Sequence, residues 1–318
     1  MFQRVELHNH STHSDGTLSV QELAAYAVKK NFGVLALTDH NTISGHQPLL
    51  QAIIDQNLPL HFLPGVEITT FYGHILALGM HQMIDQTLID PNRPEELFLR
   101  LRQSGAAAVG IAHPFCIGKP VMMGCRFAMN IRNWDAVDYI EIFNTSSQES
   151  GRVSPEIAET FSGNRQALGL WETLVLSGHR IAAVTGKDLH KIPNDCDVFC
   201  TYVQLCEHSA ATPPIRVIDA ILRQKTIVTK GPLFCTSLQK GEIQVEFSSV
   251  DVSQPLVVEI LYSTGQRQEI EISSAQTQTV TPPCNFESAV VKLYRQSCCF
   301  ENLLAVGSPI YKNEREFV

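Results

Sequence analysis

The sequence predicts an α/β domain built on parallel strands, followed by a small β-rich, sandwich-like module. Three observations carry this expectation. Through roughly the first three quarters of the chain, short apolar runs of strand character alternate with stretches of helical spacing. Several of those runs end in His, Asp or Glu. From about Gly231 the helical periodicity stops and short alternating runs take over. The 318 residues suffice for one large domain plus a smaller unit, and 44% apolar residues is ordinary for a sizeable core.

Taken in order, Arg4–Leu7 alternates polar and apolar and reads as the first strand. Ser19 and Glu22 form a capping box, and Leu23, Ala24, Ala27 and Val28 follow helical spacing until Asn31-Phe32-Gly33 stops them. Val34–Leu37 is a charge-free strand that delivers Thr38-Asp39-His40. Leu60–Leu63 is the next strand, turned by Pro64-Gly65 into Val66-Glu67-Ile68. Glu67, between two β-branched residues, is of a type rarely buried unless paired or bound to metal. Gly73 precedes a strand that starts at His74. Pro94 opens a helix running to Gly105, and Ala108–Ala112 is a strand ending in His113. Cys116–Asn133 is long and irregular and holds Lys119, Arg126 and Arg132, either a substrate loop or solvated surface charge. Asp138–Phe143 is a strand containing Glu141, which either supports a ligating histidine or faces the surface. Gln166–Gly178 reads as a helix and Arg180–Val184 as the strand before Asp188 and His190. Pro214–Gln224 is the last helix and Thr226–Val228 a short strand after it. In the second part the strand-like runs are Glu242–Phe247, Leu256–Leu261, Gln268–Ile272 and Ala289–Arg295.

The spacing of the polar residues has a chemical reading. In extended backbone His8 and His10 point to one face, because side chains alternate with period two. The turn Ser-Thr-His-Ser-Asp-Gly can return Asp15 to the same place, and Asp188 with His190 repeats the same-face pair. His13 lies in that turn too. A carboxylate among imidazoles suits Zn, Mn or Fe. One lone His-x-His would be read as ordinary loop residues; the Thr-Asp-His at the second strand end and the acids downstream argue against that.

H-N-H-S-T-H-S-D-G, then A-L-T-D-H-N-T-I-S-G, P-G-V-E-I-T, H-I-L-A-L-G, A-H-P-F, E-I-F-N and G-K-D-L-H, in that order, resemble the PHP (polymerase and histidinol phosphatase) family of metal-dependent phosphoesterases. The resemblance implies a distorted (β/α)7 barrel over residues 1–235, with the small β-rich module at 236–318. It implies a metal-ligand set of His8, His10, Asp15, His40, Glu67, His74, His113, Asp188 and His190, holding two or three divalent transition-metal ions (Mn, Fe or Zn). It also implies hydrolysis of a small phosphomonoester or phosphodiester by metal-activated hydroxide. From the residues, Asp39 and His190 are candidate catalytic groups, and the proton for the leaving group could come from His190, from His13 or from a metal-bound water. Asp39 could equally orient a ligand or close a strand end. Lys187, where relatives carry a small residue, is a candidate substrate-binding cation with Arg126 and Lys119, or it points away from the site. The ending Ser308-Pro309-Ile310-Tyr311 is similar to that of CehA/McbA-type metallohydrolases. The alternatives are an amide, ester or carbamate hydrolase on the same metals, and a non-catalytic metal-bound regulatory module.

A formal charge of −8 disfavours a long duplex nucleic acid as partner and fits a small-molecule substrate. Nine scattered cysteines, an odd count, fit reduced thiols in the cytoplasm better than a disulfide scaffold. No signal peptide or membrane-spanning run is expected.

Overall fold

The computed structural model describes residues 1–116, 125–145, 163–192, 199–205 and 210–313. Its first part runs β1 (Phe2–Glu6), α1 (Val20–Lys29), β2 (Val34–Leu37), α2 (His46–Asp55), β3 (His61–Thr70), β4 (Gly73–Leu78), α3 (Pro94–Gln103) and β5 (Ala108–Ile111). It continues with β6 (Tyr139–Asn144), α4 (Gly163–Leu176), β7 (Ala182–Gly186), β8 (Cys200–Gln204), α5 (Pro213–Leu222) and β9 (Thr226–Thr229).

The expected capping box is present: the Glu22 backbone donates to Ser19 Oγ, and Glu22 Oε2 accepts from the Ser19 backbone at 2.8 Å. Such a cap is worth about 1 kcal/mol. Val20, Leu23, Ala24 and Ala27 then line the buried face of α1, as their spacing requires.

Strands β1 to β7 lie side by side in chain order. β1, β2 and β3 pair in parallel, and so do β5, β6 and β7. The expectation of parallel strands fails at β4, which runs antiparallel to both neighbours. Its link to β3 is only two residues long, and two residues can reverse a chain but cannot make a parallel crossover. The reversal has a use. β4 begins at the sheet end where β3 finishes, so His74 joins residues from the carboxyl ends of the other strands. Pro64 does not end a strand as the sequence suggested. It lies within β3 at the last register pair with β2, Leu37 to Pro64, beyond which β3 pairs with β4 instead. A residue without an N–H fits where the partner changes.

Past their carboxyl ends, β1 and β7 are joined. The Asp188 N–H donates to the His8 carbonyl (3.0 Å) and the His10 N–H to the Leu189 carbonyl (3.1 Å), around a parallel bridge between Asn9 and Leu189. Nearer the other end, β8 pairs antiparallel with β1 and with β9. Helix α2 and strand β8 were not read from the sequence. Apolar faces of the strands pack on the helices: Trp171 and Val175 of α4, Phe98 and Leu101 of α3 and Ile140 and Ile142 of β6 share one buried cluster.

The second part contains β10 (Leu233–Gln239), β11 (Glu242–Ser249), β12 (Leu256–Tyr262), β13 (Arg267–Ile272), β14 (Gln278–Val280), β15 (Ser288–Arg295), β16 (Leu303–Val306) and β17 (Ile310–Tyr311). β10, β11 and β14 form a separate three-stranded sheet. Phe234, Ile243 and Val245 from it share a core with Val258, Ile260, Val291 and Ala305 of the other strands. β16 pairs with both β15 and β9, so hydrogen bonding is continuous from β13 to β7. Val290 and Tyr294 of β15 pack into the α4 cluster, and Ser288 Oγ donates to the Val175 carbonyl (2.8 Å). Among the described residues no helix is long and apolar enough to cross a membrane, and no disulfide joins the cysteines.

Candidate metal centre

The nine residues expected as ligands converge at the carboxyl ends of the strands, and Glu67 is their hub. Its Oε2 lies 3.0 Å from His8 Nε2, 3.2 Å from His10 Nε2 and 3.1 Å from His40 Nδ1. Its Oε1 lies 2.8 Å from His74 Nδ1 and 3.1 Å from His113 Nε2. Asp188 Oδ1 lies 3.1 Å from His10 Nε2 and 3.4 Å from His8 Nε2. At the rim, Asp15 Oδ1 is 3.2 Å from His190 Nε2 and 3.6 Å from His40 Nε2. These atoms make three overlapping groups: His8, His10, Glu67 and Asp188; His40, Glu67 and His74; and His10, Asp15, His40 and His190. Within each group the donor atoms lie within 4.8 Å of one another.

This donor set fits metal ions. Glu67 Oε2 is buried beside three imidazole nitrogens yet forms a hydrogen bond with none, and buried His10 Nδ1 forms none either. Buried polar atoms are almost always paired, and lone pairs facing one another at such distances call for a cation between them. Imidazole nitrogen with carboxylate oxygen suits Zn, Mn or Fe. Two members are also held in left-handed backbone, His113 at φ 25° and Asp188 at φ 51°, a conformation non-glycine residues avoid. Strain of this kind persists where surrounding contacts impose it; here the Asp188 N–H bond to the His8 carbonyl is one of them.

Further side chains orient the set. Glu141 Oε1 accepts from His8 Nδ1 (2.8 Å), which turns His8 Nε2 toward Glu67. Glu141 Oε2 accepts from the His113 backbone N–H (2.9 Å) and from Asn144 Nδ2 (2.8 Å). Gly186 leaves room for it: a Cβ there would lie 1.8 Å from Glu141 Oε1. Of the two readings open for Glu141, the buried supporting one is therefore the one observed. His190 Nδ1 lies 2.9 Å from the Asp188 carbonyl, and His40 Nδ1 lies beside Thr69 Oγ1. Asp39 is buried behind the turn. Its oxygens accept from the Ser11 backbone, Ser11 Oγ and Ser14 Oγ, each at 2.7 Å, and so pin the turn that carries Asp15. His13 lies 2.9 Å from Ser44 Oγ, outside these groups.

The cation candidates fare differently. Lys187 is buried, its backbone donates to Glu6 Oε1 (3.0 Å) and its Nζ lies over the Phe32 ring at 6.0 Å. Phe32 precedes β2, so the ammonium points toward the opposite end of the strands from the ligands. Arg126 is exposed, next to Cys125, whose carbonyl lies 3.2 Å from His113 Nδ1. Lys119 lies outside the described residues. Glu6, Thr69 and Asn144 were not singled out for these roles from the sequence; only the alternation of β1 hints that Glu6 is internal.

Electrostatics divide the imidazoles. Burial alone lowers the His10 and His113 pKa, but the Glu67 and Asp188 carboxylates beside them outweigh it and raise both to about 9. Burial likewise opposes charge on His8, yet Glu141, Glu67 and Asp188 hold it well above its usual range. His40 goes the other way, to about 4, through burial and the neighbouring His10 and His74. Burial would raise Glu67 and Asp188, but His8 and the other imidazoles hold both well below the carboxylate range.

A pH dependence follows. In protein stripped of metal, protonation of His10 and His113 stabilises the fold fully below about 6.5, and that contribution is lost as pH rises through about 9. Metal must displace those protons, so binding has the opposite sign and tightens over the same window. Titrating metal into stripped protein at pH 7 in buffers of different ionisation enthalpy is expected to reveal proton release. Heats independent of the buffer count against protonated His10 and His113.

Comparison with known proteins is consistent with this geometry. Residues 6–111 match the model of the PHP domain family. The chain is 39% identical over 79 residues to the 5'-3' exoribonuclease Rnm of Escherichia coli, covering 24% of this chain and 27% of that protein. It is 35% identical over 127 residues to the 3',5'-nucleoside bisphosphate phosphatase of Chromobacterium violaceum, covering 35% of this chain and 41% of that protein. The chain thus spans less than half the length of either curated relative. A solved two-domain protein from Bacteroides vulgatus, described as containing a predicted PHP-like metal-dependent phosphoesterase, superposes with a TM-score of 0.48 at 13% identity, over 97% of this chain and 95% of that one.

Proposed function

We propose that the protein is a metal-dependent phosphoesterase of the PHP type acting on a small phosphomonoester or phosphodiester, a reading that the match of residues 6–111 to the PHP domain family supports. The observation that carries this reading is the unbonded Glu67 Oε2 among three imidazole nitrogens. His8, His10, Glu67 and Asp188 would hold one ion, and His40, Glu67 and His74 a second, with Glu67 common to both. When bound, such ions lower the pKa of a water and neutralise charge growing on phosphoryl oxygens.

The chain's own groups do the rest. Glu141 and Thr69 fix the rings of His8 and His40, and Asp39 fixes the turn that brings in Asp15. Asp15 and His190, 52% and 31% exposed, form the open rim through which substrate enters. With two ions, His190 Nε2 is left to hand a proton to the leaving oxygen; a third ion would engage it with His10, Asp15 and His40. The bridge between Asn9 and Leu189 supports a distorted (β/α)7 barrel, and the core shared by two sheets supports a sandwich-like second module. Cysteines not joined by disulfides among the described residues fit a cytoplasmic setting.

The test is a substrate panel run with Mn and with Zn. A nucleotide or p-nitrophenyl phosphate is expected to turn over and to be inhibited by phosphate or vanadate. If every phosphate ester is inert while an aryl acetate or carbamate is hydrolysed, the reading is wrong and the carbonyl-directed alternative takes its place.

A further inference from the structure

A cleft runs along the seam between the two parts of the chain. Helix α5 and the turn after it form one wall, and β10 forms the other. It has a small arm beside Tyr311 and a wide arm of about 740 Å³ beside Ile215. Arg223, Lys225, Thr236 and Ser237 line both arms. Its position separates it from the metal centre. Gln204, in the wide arm, pairs with Phe2 at the start of β1, whereas His8 and His10 follow the end of that strand. Six residues of extended chain from Phe2 to His8 span roughly 20 Å.

The charge of the cleft runs against that of the chain. Overall, acidic residues outnumber basic ones by 32 to 24. In the cleft, Arg180, Arg216, Arg223 and Lys225 stand against two carboxylates, Asp219 and Glu246. Arg223 Nε takes up one of the two, Asp219, at 2.8 Å. A concave site with surplus positive charge concentrates anions. Parts of it are already set. The Arg180 guanidinium lies over the Tyr311 ring, 4.4 Å from its centre. Ser237 Oγ accepts from Gln239 Nε2 (3.1 Å), which leaves its own proton to offer. The wide arm adds apolar surface, with Leu205 and Ala220 buried in its walls and Ile215 59% exposed. Its volume is that of a small-molecule site, and such sites favour seams between modules and set a few polar groups among apolar walls.

We infer that this cleft binds a small organic anion, its charged head between Lys225 and Ser237 and its apolar body along Ile215 and Leu205. The ligand touches α5 on one side and β10 on the other, so it ties the two parts of the chain together and stabilises the fold by mass action. The site is separate from the reaction at the metals and does not depend on what that reaction is. The head is a carboxylate or a phosphoryl group.

The experiment measures binding of hexanoate, hexylphosphonate and hexanol to the metal-loaded full chain by calorimetry. At least one of the two anions is expected to bind about tenfold tighter than hexanol, and the tighter anion identifies the head. Lys225→Met is expected to weaken that binding about tenfold, the loss of one charge-assisted contact. Ile215→Glu, a change at an exposed position that the fold tolerates, is expected to weaken it as much by opposing the anion. Lys29→Met removes the same charge from the exposed end of α1 and is expected to leave binding within about twofold. The site is refuted if neither anion binds at millimolar concentration or if hexanol binds as tightly as they do. Anion binding that survives both cleft variants within about twofold lies elsewhere, at the metals for instance, and refutes it equally.

Discussion

Glu67→Gln is expected to remove about one metal equivalent per chain and to lower turnover about a thousandfold, since charge stabilisation by a bound ion is worth several kcal/mol and each 1.36 kcal/mol is tenfold. The amide keeps the shape of the carboxylate but not its charge. Five imidazoles approach Glu67 within 3.2 Å. His8 and His113 depend on that charge for their raised pKa, so the stripped variant also loses stability near neutral pH. Elemental analysis with steady-state kinetics checks this. Full metal content together with turnover within tenfold of the wild type rules out a shared bridging role for Glu67.

Glu141→Gln is expected to weaken metal binding about 10- to 100-fold, the usual effect of removing a partner behind a ligand. One carboxylate here serves three donors: His8 Nδ1, the His113 backbone and Asn144 Nδ2. Glutamine offers one acceptor oxygen and turns an NH2 toward a donor, so one side of the clamp must open. Because Glu141 acts through His8, excess metal is expected to restore most of kcat, which it cannot do for Glu67→Gln. Competition with a chelator measures the affinity, and kinetics at saturating metal measure the recovery. Unchanged affinity would show that Glu141 only fills space. A loss as deep as that of Glu67→Gln at saturating metal would make it a ligand.

The site was more legible in the sequence than the fold that carries it. His8, His10, Asp188 and His190 announce themselves by alternation, and Glu67 by its β-branched neighbours; both are local signals. Glu141 kept two readings because its partners, His8 and His113, lie far from it in sequence. Lys187 shows the same limit. Alternation says that it faces away from Asp188, but only the packed structure provides Glu6 and Phe32 as its surroundings. The direction of β4 was available in principle, since the length of the Phe71-Tyr72 link decides it. Strand β8 carries no ligand residue to mark it, and it is recognised by pairing with β1 and β9.

β16 is the strand that makes two sequence patterns into one object. It lies between β9 and β15, and Val290 and Tyr294 press against helix α4. Ending the chain after β9 would leave the Val228–Thr229 edge without its ladder and uncover apolar surface on α4, an invitation to pair with another molecule. The C-terminal strands are therefore no detachable appendage. They cap the open edge of the sheet and tie the ligand-bearing strands to them in cooperative unfolding, so destabilising changes after Pro232 reach the metal centre through the sheet with no contact of their own.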